Sequence, residues 1–305
     1  MAAAMASWRP ALALTWICAA CPGQVFVGLT RGKKYIQQRT RQYASQGEIE
    51  KNIKLIKELR KDRSAPVDRL GIHVIHKQAE DPCYETLVAL ILSARTKDAA
   101  TYDTIQVLRQ HGLTPENILG TSVDTLTDLL AKVNHYKKKA LYLKETTSML
   151  VDSFDGKVPS TEEDLKKLKG VGEKSALLYL QTVSGKAKGI AVDSHVHTVA
   201  NSLGWVKTKR AEQTRKELEE RLPVCWWSSI NPLLVGFGQE LATEKSKMIA
   251  KCIKSSNPSL ALQMLSACGI NVTRELETGS SSVKPFRILR GPSKKFTLPS
   301  KAVTN

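Results

Sequence analysis

One lysine and one aspartate, nineteen residues apart, carry the chemistry that this sequence can do. Lys174 sits two positions after the turn Gly170-Val171-Gly172, and Asp193 closes the apolar run Ile190-Ala191-Val192. An amine in the first turn of a helix is electrostatically misplaced, because the positive end of the macrodipole disfavours a cation there by some tenths of a kcal/mol to about 1. The same field favours the neutral amine, a nucleophile that forms a Schiff base with a carbonyl-level carbon. By spacing alone, Lys174 serves equally well as a phosphate contact. Asp193 precedes a helical segment and can cap it. Held rigid by that cap in a partly dry cleft, its carboxylate could also stabilise a developing sugar cation or shuttle a proton. His195 and His197 share that segment and have no ligand cluster beside them, so they read as packing or hydrogen-bonding histidines.

The turn itself has a structural logic. Pro159-Ser160-Thr161-Glu162-Glu163 opens a short helix with Ser160 three residues before Glu163, a capping-box spacing. Leu165 and Leu168 face a core, and Gly170 can end the helix in a left-handed conformation. Val171 can dock inward. Gly172 leaves the backbone open to a partner, and a second helix starts at Glu173 with Ala176, Leu180 and Val183 on one face. This helix–hairpin–helix pattern points free amide N–H groups outward, which suits a DNA phosphate.

The elements that must position these residues are helical. Apolar spacing predicts helices over 48–61, 84–94, 98–110, 122–132, 136–153, 160–168, 173–184, 194–203, 210–221 and 226–252. No convincing alternating strand and no internal repeat occurs. The expected fold is all-α, with two helical lobes and the hairpin.

Charge and termini bound the setting. Hydrophobic residues at 42% and charged residues at 25% are ordinary for a globular chain, whereas a net charge of +17 is not. Residues 1–47 and 278–305 each hold six Lys/Arg and no acid, so twelve of those charges sit in two tails around a mildly basic centre. The Ala-rich, acid-free N-terminus suits a mitochondrial transit peptide. A secretory signal is the rival, because the apolar run 11–20 follows a single Arg9, but Pro22-Gly23-Gln24 break that run too early for a membrane span. The lysine-rich tail around 292–296 reads equally as a nuclear address, so the expected compartment is the mitochondrion, the nucleus or both. Of the six cysteines, Cys18-x-x-Cys21 lies inside the expected targeting segment, which argues against a metal or redox role, and those at 83, 225, 252 and 268 show no zinc or disulfide-framework spacing, which points to a reduced interior.

With these residues in view, LKGVGEKSA followed by GIAVDSHVHTVAN closely resembles the endonuclease III group of helix–hairpin–helix DNA glycosylases. The resemblance covers roughly 48–245 and includes LILSARTKD (90–98), NHYKKKALYLK (134–144) and INPLLVGFGQ (230–239). It implies a bifunctional glycosylase and abasic-site lyase acting as a monomer, away from membranes, on double-stranded DNA that carries oxidised pyrimidines or abasic sites. In that family the lysine attacks C1′ of a flipped nucleotide, expels the base and cuts the strand by β-elimination through a Schiff base. By match, Lys174 and Asp193 take the two catalytic roles, and Gly170, Val171, Gly172, Arg95, His135 and Lys139 fall at DNA-binding positions. The implied organisation is a lobe from 48–78 plus 188–277, a six-helix lobe over 79–187 that carries the hairpin, and a central DNA-binding cleft between them. The terminal segments 1–47 and 278–305 lie outside both.

This chain departs from the family pattern in several places. Arg95 stands where a glutamine is usual; it is long, flat and rich in donors, so it can fill a base stack and pair with an orphan base, which opens the question of opposite-base preference. Asn134-His135-Tyr136 replaces a glycine followed by large apolar residues, and Lys169 replaces a proline. Most members bind a [4Fe–4S] cluster through C-x6-C-x2-C-x5-C soon after the GFGQ region. Here only Cys252 and Cys268 follow Gln239, so no cluster is expected. The alternative reading is a non-catalytic helix–hairpin–helix DNA-binding or scaffold protein, which would have no need of both Lys174 and Asp193.

Overall fold

A computed structural model describes residues 43–278, and among these the chain is helical throughout, with no strand. The expected targeting segment and basic tail fall outside the described residues, apart from 43–47 and Thr278. No described helix is long and apolar enough to cross a membrane.

In chain order the helices are α1 (Gln46–Leu59), α2 (Pro66–Leu70), α3 (Ile72–Lys77), α4 (Pro82–Ser93), α5 (Asp98–His111), α6 (Pro115–Gly120), α7 (Val123–Leu129) and α8 (Tyr136–Phe154). They continue with α9 (Glu162–Leu165), α10 (Glu173–Ser184), α11 (Ser194–Ser202), α12 (Ala211–Arg221) and α13 (Val224–Thr243). The last three are α14 (Lys245–Ile253), α15 (Pro258–Ala267) and α16 (Val272–Thr278).

The helices bury two separate cores. One joins Ile49, Ile53 and Ile56 of α1 to residues 190–272, around Trp205, Phe237, Met248 and Leu265. The other runs from Ile75 to Leu180, with Tyr84, Leu87, Ile91, Leu108, Leu143 and Leu165 inside. The chain therefore leaves the first lobe, builds the second, and returns at the segment that leads to Asp193.

Several local expectations change. The 226–252 helix is two helices, because Glu244 leaves helical geometry (φ −128°, ψ 44°) where neither Gly nor Pro marks a break. The first hairpin helix is one turn, capped by Thr161, whose Oγ1 accepts from Asp164 N, rather than by Ser160. Both registers carry the same Ser/Thr-x-x-acid spacing, so the sequence could not choose between them. The short helices α2, α3 and α6 have too few residues to show a period. α3 gives Ile75 to the second core, so that lobe begins before residue 79, and it holds seven helices after α3 rather than six.

The C-terminal helices are fastened by packing and charge. Met248, Ile249 and Cys252 of α14 and Ala261, Met264 and Leu265 of α15 enter the first core. Lys251 Nζ bridges Asp62 Oδ1 at 2.8 Å and the buried Glu240 Oε2 at 3.1 Å. Arg60, at the end of α1, pairs with Asp68 and donates to the carbonyls of Pro232 and Leu233 in α13.

Candidate active site

The hairpin is assembled from the second core outward. Leu165, Leu168 and Val171 are all buried there, which pins both sides of the turn. Gly170 lies at φ +80°, and a Cβ added to it would stand 2.9 Å from Cδ2 of Tyr142, so its missing side chain is needed both for conformation and for space. Thr146 of α8 ties the turn down by donating to Lys169 O at 3.0 Å. Gly172 is the N-cap of α10, exposed and without a side-chain cap, so the first amides of α10 are left open at the surface.

Lys174 follows at the second position of α10, with its side chain 41% exposed. Asp193 caps α11: Oδ1 accepts from Val196 N at 2.9 Å. Its other oxygen, Oδ2, stands 3.7 Å from Lys174 Nζ, and the carboxylate side chain is only 16% exposed. The two residues that the sequence singled out therefore form one pair, brought together from helices that belong to different lobes. The histidines keep to packing and hydrogen bonding: His197 Nδ1 lies 2.6 Å from Thr214 Oγ1, and the His195 ring packs against Gly238 of α13.

Arg95 and His135 are exposed, and both adopt left-handed backbone angles, φ 54° and φ 57°. Asn134 links their turns: its side-chain amide donates to Arg95 O, and its backbone N–H donates to Thr96 Oγ1 at 3.2 Å. Lys139 is the correction among the expected DNA contacts. It is 4% exposed, and its Nζ donates to Leu92 O (2.7 Å), Ala94 O (2.7 Å) and Thr96 Oγ1 (2.8 Å). All three donors are thus spent beneath the turn that carries Arg95, which makes Lys139 a clamp on that turn rather than a contact at the surface. Burial pushes its amine down to about 8.

Sequence reasoning did not find the ties between the lobes. Pro232 inside α13 has no N–H for the carbonyl of Ser228, and Gln181 of α10 donates to that carbonyl at 2.8 Å instead. Gln239 donates to Asp98 Oδ2 at 2.7 Å and accepts from Val67 N at 2.9 Å. Arg215 of α12 reaches Glu162 and Glu173 in the hairpin lobe. Burial disfavours the Arg215 cation, but hydrogen bonds to Glu162 and Glu219 outweigh this and raise its proton affinity. In the sequence only the Arg215/Glu219 spacing of four was visible, as an ordinary surface pair.

Four cysteines lie among the described residues. Cys252 is fully buried among apolar side chains, and burial pushes its thiol and that of Cys268 up to about 12. Cys83 and Cys225 lie at the starts of α4 and α13, and no group of three His, Cys, Asp or Glu able to hold a metal occurs among the described residues.

Residues 88–224 match the HhH-GPD superfamily base excision DNA repair protein family, a span that contains both Lys174 and Asp193. Endonuclease III-like protein 1 of Mus musculus is 41% identical over 206 residues, covering 66% of this chain and 69% of that protein. The protein of the same name from Gallus gallus is 39% identical over 209 residues, covering 67% and 74%. Among solved structures, a trapped endonuclease III–DNA covalent intermediate superposes with a TM-score of 0.59 at 22% identity, over 72% of this chain and 99% of that one. A non-covalent endonuclease III–DNA complex gives 0.58 at 22% identity, over 77% and 99%. At that identity the two structures show a shared fold.

Proposed function

The chain belongs to the endonuclease III family of base excision DNA repair proteins, and from that premise we propose that Lys174 is the nucleophile of a bifunctional glycosylase and abasic-site lyase acting on oxidised pyrimidines. DNA glycosylase and lyase activity goes with the family. The assignment of residues rests on one observation: Lys174 Nζ stands 3.7 Å from a carboxylate oxygen that its helix cap holds in place.

The target carbon is stacked inside the duplex, so the damaged nucleotide is swung out at a cost of a few kcal/mol, least for a damaged base. The uncapped start of α10 takes a backbone phosphate on its amides, with Gly170, Val171 and Gly172 giving close approach. Arg95 and His135, on turns tied together by Asn134, fill the vacated stack and meet the orphan base. Lys174 then attacks C1′ as the glycosidic bond breaks and the base leaves with the bonding electrons. Asp193 stabilises the positive charge that develops on the sugar and takes up the proton shed by the amine. Opening of the sugar ring gives the C1′ imine, and loss of a C2′ proton expels the 3′ oxygen, cutting the strand.

No cofactor enters this sequence of steps. The protein acts as a monomer on damaged duplex DNA, away from membranes, in the mitochondrion, the nucleus or both. Borohydride added during reaction with an abasic-site duplex reduces the imine to a stable protein–DNA adduct. Wild-type protein is expected to form it and Lys174→Ala is not; absence of the adduct with wild type ends the proposal. A lesion panel run in the same assay identifies the preferred base.

A further inference from the structure

Lys174 and Asp193 come from different lobes, so their spacing depends on whatever holds the start of α10 against the returning segment 189–193. One side chain reaches both. Nη1 of Arg215 stands 2.5 Å from Oε1 of Glu173, the residue next to Lys174, and 3.2 Å from Oε1 of Glu162 at the head of the hairpin. Its Nε pairs with Glu219 Oε1 at 2.9 Å, and that same oxygen accepts from Ile190 N at 2.7 Å, three residues before Asp193. The returning backbone is pressed onto this pair: a Cβ on Gly189 would lie 2.7 Å from Glu219 Oε1 and 2.8 Å from Arg215 Nη2.

We propose that Arg215 and Glu219 are positioning residues that set the Lys174–Asp193 spacing, an assignment that rests on the chemistry proposed for Lys174. The physical case is one of geometry. A guanidinium offers five donors in a rigid fork, so it can hold carboxylates from α9, α10 and α12 at once, which the point charge of an ammonium cannot. Arg215 is 16% exposed, so solvent competes weakly for these bonds. Neither residue is part of either core, whose share of that stretch of chain is Leu218 and Leu222. Cutting the tie frees the first turn of α10 from the 189–193 segment, and a displacement of about 1 Å between reacting groups can cost on the order of 100-fold in rate.

The test separates rate from affinity. Single-turnover borohydride trapping gives the rate of imine formation, and binding to a duplex containing a tetrahydrofuran abasic analogue, which cannot form the imine, gives Kd. Arg215→Leu and Glu219→Leu are expected to slow trapping about 10- to 100-fold while Kd stays within about threefold, because only the alignment of the reacting groups is lost. Arg215→Lys restores part of the rate, since it keeps the charge without the fork. Trapping at the wild-type rate by folded Arg215→Leu, or rate and affinity falling together, overturns the proposal. Should Arg215→Leu fail to fold, Glu219→Leu decides by the same two readings; failure of both to fold marks a purely structural role and overturns it as well. Failure of wild-type protein to trap is a different result, which sinks the Lys174 assignment itself.

Discussion

Asp193 divides its carboxylate between two helices: Oδ1 accepts the Val196 amide of α11 at 2.9 Å, and Oδ2 faces the Lys174 amine of α10 at 3.7 Å. A capping role and a chemical role therefore occupy different atoms of one side chain, and substitution can separate them. Asn caps a helix about as well as Asp but carries no charge. Asp193→Asn is accordingly expected to melt close to wild type while base release slows about 100-fold or more. Asp193→Ala loses both roles and costs about 1 kcal/mol of stability in addition. Thermal melts together with single-turnover kinetics check this; an Asp193→Asn protein as fast as wild type would remove the carboxylate from the mechanism.

The two hairpin glycines serve different ends. Gly170→Ala must place a side chain at φ +80° and against Tyr142, at an expected cost of about 1–3 kcal/mol, measured by denaturant unfolding. Gly172 has an ordinary φ of −100° and nothing within 4 Å of an added Cβ. Gly172→Ala should therefore leave stability nearly unchanged and weaken duplex binding, by crowding the amides at the start of α10. Equal effects of the two substitutions on stability would contradict this division.

Lys139 makes stability depend on pH in a defined window. Burial lowers its folded-state value to about 8, whereas the unfolded chain keeps the ordinary value of about 10.4. Between those two values the unfolded chain holds more protons, so stability gains as pH rises through the window, by at most ~1.4 kcal/mol per pH unit. Below about 8 both states are protonated and this dependence vanishes. Other titrations are common to wild type and Lys139→Met, so the difference between their unfolding free energies isolates the effect. That difference should shift toward wild type between pH 7.5 and 9.5 (flanking a value of about 8); a flat difference would refute it.

The C-terminal helices should stand without iron. Purified protein is expected to contain no stoichiometric iron and to lack the absorbance near ~400 nm typical of iron–sulfur clusters, and a chelator should leave its melting unchanged. Stability there comes from the core, so Leu265→Ala, at a fully buried position, should cost about 2–5 kcal/mol. Removing Lys251 costs the buried Glu240 one of its two cations while Arg60 stays beside it, and Lys251→Met should destabilise by about 1–3 kcal/mol. Stoichiometric iron in the purified protein would overturn the first of these expectations.

Salt reports how the basic centre of the chain meets DNA. Each DNA phosphate that a variant no longer neutralises lowers the slope of log affinity against log salt by about 1. Arg95→Ala, which removes a proposed stack filler, is expected to weaken binding to lesion duplex while leaving the slope nearly unchanged. A slope lowered by a full unit would reassign Arg95 to the phosphate backbone.

What the sequence determined by itself was whatever has a local signature. Apolar spacing at 3.6 residues marked most helices, including α1, α4, α5, α8 and α10, and the Gly-Val-Gly turn with lysine behind it marked the hairpin. Asp193 was legible because a capping residue is chemically distinct and its helix begins at once. The shortage of cysteines after Gln239 needed only counting. Even the burial of Lys139 left a trace, since it falls on the stripe of α8 that also holds Leu143, Thr147 and Leu150, although its charge argued for the surface.

Only the tertiary structure decided which distant groups meet. Gln181 answers the carbonyl freed by Pro232, 47 positions away in its bond to Ser228, and Arg215 reaches Glu162 across 53. Such pairings leave no periodicity, because each partner taken alone reads as a solvated polar residue. The break at Glu244 and the one-turn length of α9 were likewise invisible, since neither Glu244 nor Lys166, the residues that end those helices, is a glycine or proline. The same holds at the centre of the site: the spacing of nineteen residues named Lys174 and Asp193, but it took two lobes closing on each other to place the amine beside the carboxylate.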